Sequence, residues 1–235
     1  DLNDINAYAS YVNSIGGNIR LEVGEQDSLT YIAAEKLFMR GDNDGARRSL
    51  INYLQTFPEG AFSSNANFYL GSIAFAKKEF DEAIQRFKSV IASGDTKFLE
   101  ESVARTAEIE YLSKDYPAAL ESFKRLQIVA ENPENRQAAR LGIMRCALQT
   151  GQQKDALLAA DELLKEPKLS PELEAEARYV RAKAYIAQKQ ANKALADLKE
   201  LSKDTRTVHG AEAKYLLAQL YYDCLLYTSP SPRDS

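Results

Sequence analysis

Residues 67–90 read NFYLGSIAFAKKEFDEAIQRFKSV. Apolar residues recur at helical spacing on both sides of Lys78-Glu79, which gives two short amphipathic helices joined by a tight turn. Leu70, Gly71, Phe80, Ala83 and Phe87 stand where two antiparallel helices bring their packing residues together. Ala83 is one of a series: Ala46, Ala83, Ala119, Ala156 and Ala194 follow one another at intervals of 37, 36, 37 and 38 residues. An alanine that returns at a fixed phase marks a place where two helices cross closely and a larger side chain would part them. Four residues after each alanine stand Leu50, Phe87, Phe123, Ala160 and Leu198, and seven after stand Tyr53, Val90, Leu126, Leu163 and Leu201. The chain is therefore read as a tandem array of helix–turn–helix units.

Working outward, the first unit is expected to have helices near 29–40 and 44–57, with Ser28 as N-cap and a turn at Gly41-Asp42-Asn43-Asp44-Gly45. The Asp-rich run does not complete a calcium loop, since Arg40 holds the first ligand position and Ile51 the last, so a plain interhelical turn is expected. The second unit spans about 64–95. The third has helices near 98–113 and 116–130, the fourth near 134–149 and 153–165 around Gly151, and the fifth near 171–188 and 191–202 after Ser170-Pro171. Residues 211–223 read as the first helix of a sixth. At the front, residues 1–16 read as the second helix of an incomplete leading repeat, since Tyr8 lies 38 residues before Ala46, and 17–28 as a partly extended linker. The array proper is 29–223.

With this period and with glycine or alanine at the crossing points, the units resemble the tetratricopeptide repeat (TPR), whose period is about 34 residues. The resemblance implies an all-α fold, a TPR-like α-solenoid of stacked helix–turn–helix repeats in a right-handed superhelix. It also implies a concave groove lined by the first helix of each repeat. The front is more specific. Ala34, Leu37, Phe38, Gly41-Asp42, Ala46, Tyr53, Phe57-Pro58, Asn65-Ala66-Asn67 and Tyr69-Leu70-Gly71 resemble the repeats of bacterial envelope TPR proteins. The Tol–Pal coordinator and an outer-membrane assembly lipoprotein are of this type. That likeness, over roughly residues 30–92, implies a periplasmic or envelope-associated protein, with the cytoplasm as the alternative. Residues 224–234, CLLYTSPSPRD, resemble a translated sequencing adapter, so 224–235 is expected to be a non-native tail. Cys146 would then be the sole native thiol, a packing residue on an apolar helix.

In the resembled family the groove is met by residues 15, 11 and 8 before each alanine position. Fifteen before stand Tyr31, Phe68, Ala104, Leu141, Tyr179 and Tyr215; eight before stand Phe38, Phe75, Tyr111, Leu148, Ile186 and Tyr222. Eight of these twelve are aromatic against 9% in the chain, so the enrichment belongs to the face. Eleven before stand Glu35, Ser72, Glu108, Arg145, Lys183 and Gln219, acidic early and basic late. The partner-binding set is thus Tyr31, Glu35, Phe38, Phe68, Phe75, Glu108, Tyr111, Arg145, Tyr179, Lys183, Tyr215 and Tyr222. Tyr31, Phe38, Phe68, Phe75 and Tyr111 are expected on one continuous concave surface. Glu35 and Glu108 have the wrong charge for the carboxylate clamp of chaperone-binding members.

Catalytic patterns are missing from the sequence. His209 is the single histidine and reads as a solvated loop residue; Glu172, Glu174 and Glu176 read as a solvated helix face. The net charge of −4 supplies no basic footprint for nucleic acid, and no run of about 18 apolar residues spans a membrane. The expected function is a non-catalytic scaffold that binds a protein or peptide without cofactor or metal. The alternatives are a structural spacer or self-assembly array, and a non-catalytic arm of a larger enzyme. Self-association through the open C-terminal end is expected as well.

Overall fold

The computed structural model describes residue 11, residues 23–94 and residues 97–228, with the backbone alone for Val23 and for 224–228. Among these residues eleven helices form and no strand. They are α1 (Val23–Met39), α2 (Asn43–Thr56), α3 (Ser63–Ala76), α4 (Phe80–Ser93), α5 (Leu99–Leu112) and α6 (Tyr116–Val129). There follow α7 (Pro133–Gln149), α8 (Gln153–Leu163), α9 (Pro171–Ala187), α10 (Ala191–Leu201) and α11 (Val208–Thr228). The chain divides into two compact units, Asp1–Ile109 and Glu110–Ser235, with the boundary inside α5.

The alanine series holds the pairs together. Ala46, Ala83, Ala119, Ala156 and Ala194 are all fully buried, and the residues four and seven after them are buried too. In the repeats that lie within one unit, the first helix answers with a residue twelve before the alanine: Ala34, Gly71, Met144 and Ala182, each buried. Size is shared across the crossing. Gly71 opposes Phe87, and a Cβ on Gly71 would lie 2.9 Å from that ring. In the fourth repeat the order reverses, with the large Met144 in α7 and the small Ala160 in α8. Interiors tolerate such exchange when total volume is kept.

The turn inside each repeat is equally regular. Five residues before each alanine stand Gly41, Lys78, Lys114, Gly151 and Lys189, all with φ between 59° and 81°. The next residue returns its N–H to the carbonyl five back: Asp42 to Leu37, Glu79 to Ala74, Asp115 to Glu110, Gln152 to Ala147 and Gln190 to Tyr185, at 2.8–3.0 Å. This is the Schellman closure, which satisfies the last carbonyls of the first helix. Asp42 and Asp115 then cap α2 and α6 through the N–H of Gly45 and Ala118. Asn132 and Ser170 cap α7 and α9, each followed by proline.

Two boundaries depart from the sequence reading. The first helix starts at Val23 rather than 29, and Ser28 is no cap: its Oγ donates to the Gly24 carbonyl within α1. The cause is Asp27, a residue of α1 buried against the turn that follows α2. Its carboxylate accepts from Tyr53 Oη at 2.5 Å and from the Ala61 N–H at 2.8 Å, while Tyr53 Oη accepts from the Phe62 N–H. A helix carried back to Val23 brings Asp27 to those donors. At the other end, α11 starts at Val208 and runs beyond Asp223. The expectations for residues 1–10 and 12–22, and for the tail from 229 onward, lie outside the described residues.

Lys78 and Lys114 hold a backbone conformation that costs a side-chain-bearing residue about 1–2 kcal/mol. Lys78→Gly and Lys114→Gly should therefore each stabilise the chain by about 0.5–1 kcal/mol, after the looser unfolded chain is allowed for. Urea midpoints check this; an unchanged or lowered midpoint would show that the turn carries no strain.

Candidate functional site

The candidate face is built on the first helices of the repeats, and each unit is taken separately. In the first unit, Tyr31 leaves the expected set. It is 2% exposed and belongs to the core with Ala34, Leu50 and Tyr53. Its ring stacks on Phe62 with centroids 4.4 Å apart. Its hydroxyl donates to Glu35 Oε1 at 2.6 Å and accepts from Asn65 Nδ2 at 3.1 Å. Tyr69 Oη donates to the same Glu35 oxygen at 3.0 Å. Glu35 thus serves two tyrosines and is no free acid facing a ligand. Burial first, and the Glu35 hydrogen bond second, push the Tyr31 and Tyr69 hydroxyls well above their ordinary value.

Phe38, Phe68 and Phe75 are half-buried, each against a ring from outside its own helix. Phe38 lies 4.5 Å from the Tyr69 ring, and Phe68 stacks on Phe98 at 4.2 Å. Phe75 packs against Phe80, and the Arg105 guanidinium sits over its ring at 4.9 Å. Arg105 is held between Glu101 and Glu108, so Glu108 is committed within its own helix. Each phenylalanine keeps part of its surface accessible to solvent, which suits a surface that takes up apolar side chains.

In the second unit, Tyr111 is half-buried beside Tyr116 and Phe123. Arg145 forms a two-pronged pair with Glu176 at 2.6 and 2.7 Å. The Glu176 bonds raise the Arg145 pKa above the ordinary arginine value. Glu176 is therefore a link from α7 to α9 and not part of a solvated face, and Glu174 is bound to Arg178. The charge series seen in the sequence is largely neutralised locally: Glu35, Glu108 and Arg145 all have partners. Lys183 stays exposed, its ammonium 5.4 Å from the Tyr179 ring. Tyr179 stacks on His209 at 4.9 Å, and burial followed by a Glu212 hydrogen bond pushes its hydroxyl up. His209 is thus a half-buried residue of the first turn of α11, and the loop reading is corrected. Tyr215 and Tyr222 are the most open of the set, at 71% and 62% exposure.

Among the described residues, groups of three acids, histidines or cysteines able to hold a metal are absent, and no described helix is long and apolar enough to cross a membrane. Cys146 is buried, and burial pushes its thiol up to about 11, away from the thiolate form that reacts at neutral pH.

The tetratricopeptide repeat family model matches residues 33–96, about a quarter of the chain. No curated protein sequence matches the chain. Solved structures share the fold at low identity. YrrB, described as a TPR protein with an unusual peptide-binding site, gives a TM-score of 0.59 at 18% identity, over 80% of this chain and 91% of its own. MamA gives 0.54 at 16% identity, over 78% and 94%. A TPR protein from Parabacteroides merdae gives 0.51 at 17%, over 83% and 87%. The architecture is thus that of TPR α-solenoids.

Tyr31→Phe keeps the ring stack but removes the hydroxyl that Glu35 and Asn65 use. It should cost about 1–3 kcal/mol in chemical denaturation and leave ligand binding per folded molecule unchanged. The pH dependence has a definite sign. Tyr31 and Tyr69 have folded values above the unfolded 10.0. Their contribution is complete below about pH 10 and declines as pH rises beyond it. Tyrosinate absorbance should show these groups ionising only together with loss of helical circular dichroism; ionisation with the helix intact would contradict their burial.

Proposed function

We propose that this chain is a non-catalytic protein–protein interaction scaffold that takes up a peptide or partner helix on the aromatic face of its first helices. The observation that carries the reading is the enrichment of rings at the two groove offsets, with Phe38, Phe68, Phe75, Tyr111, Tyr215 and Tyr222 keeping solvent-accessible area. Rings already fixed by neighbours lose little entropy on binding, so burying their open edges is favourable. YrrB, which has the same fold and a peptide-binding site, supports this choice. Because Glu35, Glu108 and Arg145 are already paired, recognition rests on apolar side chains more than on charge. Within the candidate set, Lys183 is the exposed cation of the second unit and is placed to meet an acidic group. The likeness of residues 30–92 to envelope proteins supports a periplasmic site of action, which the signal sequence of the full reading frame would test.

A peptide array probes the scaffold reading. The best-bound peptide should lose about five- to thirty-fold in affinity with Phe75→Ala or Tyr222→Ala, equivalent to about 1–2 kcal/mol. Tyr222→Ala, being exposed, should leave the unfolding midpoint within about 0.5 kcal/mol. If no peptide binds, or if both variants bind as the parent does, the solenoid is a spacer whose face is idle.

A further inference from the structure

The second helices expose the residues two and nine after the buried alanine in all five repeats. Two after stand Arg48, Gln85, Glu121, Leu158 and Ala196; nine after stand Gln55, Ala92, Ile128, Lys165 and Lys203. A large apolar residue occurs at these positions only as Leu158, 65% exposed, and Ile128, 84% exposed. Single exposed apolar residues are ordinary, but these two belong to helices that wall one cleft. The cleft lies within the second unit between α6 and α8 and has a volume of about 310 Å³. Ile143 of α7 and Ala159 of α8, each 5% exposed, form its apolar base, and Leu158 stands on the α8 wall. Lys124 and Gln127 stand on the α6 wall, and Ile128 comes one helical turn after Lys124. The rim holds more acid than base. Lys124 is shared by Asp155 at 2.7 Å and Glu121 at 3.4 Å. Two turns along α8 from Asp155, Glu162 has the exposed Lys165 at 3.4 Å and Arg140 Nε only at 3.9 Å. Arg140 is engaged by Glu166 at 2.7 Å, and its Nε finds no acceptor.

We propose that this cleft binds a basic amphipathic segment of a partner protein, which seats a large aliphatic side chain against Leu158, Ile143 and Ile128 and brings an arginine or lysine one turn away to Glu162. The volume stands at the lower end of the range for ligand sites, so the cleft takes side chains of the partner and not a whole helix. An apolar centre inside a polar rim is the anatomy of an anchor site, where one buried side chain carries much of the affinity. The rim selects the sign of the neighbour. An acidic segment would add negative charge beside Asp155 and Glu162, whereas a base gives Glu162 the close partner that Arg140 and Lys165 do not supply. The same excess of acid opposes a second copy, because a two-fold contact sets a patch against itself and would bring the two acidic rims together. The site is independent of the aromatic face, since it lies on the second helices and uses none of the rings.

The probe is a random dodecapeptide library displayed on phage, panned on the full chain and counter-selected on the double variant Ile128→Lys, Leu158→Gln. These substitutions give each position a residue that other repeats carry there, as at Lys165 and Gln85, so the helices should stay intact. Circular dichroism checks this; should helix be lost, Leu158→Ala, as at Ala196, replaces the double variant. Recovered peptides, synthesised and titrated by fluorescence anisotropy, should carry Leu, Ile or Met with Arg or Lys three or four residues away. Leu158→Gln should weaken them at least about ten-fold. Glu162→Gln should weaken them about two- to five-fold, a loss that shrinks at high salt. Phe75→Ala should leave them unchanged, which separates this site from the aromatic face. The proposal is overturned if no peptide survives the counter-selection, or if the peptides recovered lack the base or ignore Glu162→Gln. It is equally overturned if light scattering shows a dimer that Leu158→Gln dissolves, since a second copy would then occupy the cleft.

Discussion

The close approach of two helices at a buried alanine is the constraint from which the rest of the structure follows. Helix axes about 8–10 Å apart leave no room for a long side chain at the point of crossing. Ala46, Ala83, Ala119, Ala156 and Ala194 meet that demand at full burial. Once the crossing is fixed, the residues four and seven later must fill the space on either side, and most do so with Leu, Phe, Val or Tyr. Gly71 facing Phe87 shows that the crossing holds volume constant, since the large ring is admitted by removing the side chain opposite. Met144 over Ala160 reaches the same end by the opposite assignment.

Polar chemistry in the array works as a fastener. Asp27, Tyr53 and the N–H groups of Ala61 and Phe62 lock the turn between the first two repeats. Glu35, Tyr31, Tyr69 and Asn65 link α1 to α3. In the second unit Asp197 is gripped by Arg178 and Arg181, and Arg181 also reaches Asp161 in α8. Each such group sits where its hydrogen bonds offset the cost of removing it from water. The same pairing explains why the candidate binding face carries so little free charge: Glu35 and Arg145 are engaged in joining repeats, and Glu108 is paired within its own helix.

Much of this is legible in the sequence, and the reasons are physical. The second helices are short and amphipathic, with one alanine that nothing larger can replace, so their phase survives inspection by eye. The first helices are covered on more than one side, so an apolar residue there reads alike whether it faces a groove or the core. Tyr31 and Phe68 share a repeat position, yet one is core and the other half-open, because Phe62 and Asn65 close over Tyr31. The start at Val23 is hidden from the sequence because it depends on a tertiary bond from Asp27 to Tyr53. Glu176 reads as one of a row of solvated acids because its partner Arg145 lies 31 residues away. His209 reads as a loop residue because its helix begins at Val208, without a strong sequence stop before it.

The constant offset of five residues between the left-handed turn and the buried alanine separates two kinds of length in the chain. The turn and its offset to the buried alanine are constant from Gly41 to Lys189, while the interval between alanines varies from 36 to 38 residues. Mechanically, the chain is a series of links of nearly equal contour connected by adjustable couplings. Pulled from its ends, each hairpin that gives way releases about 37 residues, roughly 12–13 nm of extended chain. A protein built this way yields under load in near-identical increments, and its extension under tension counts the hairpins that remain closed.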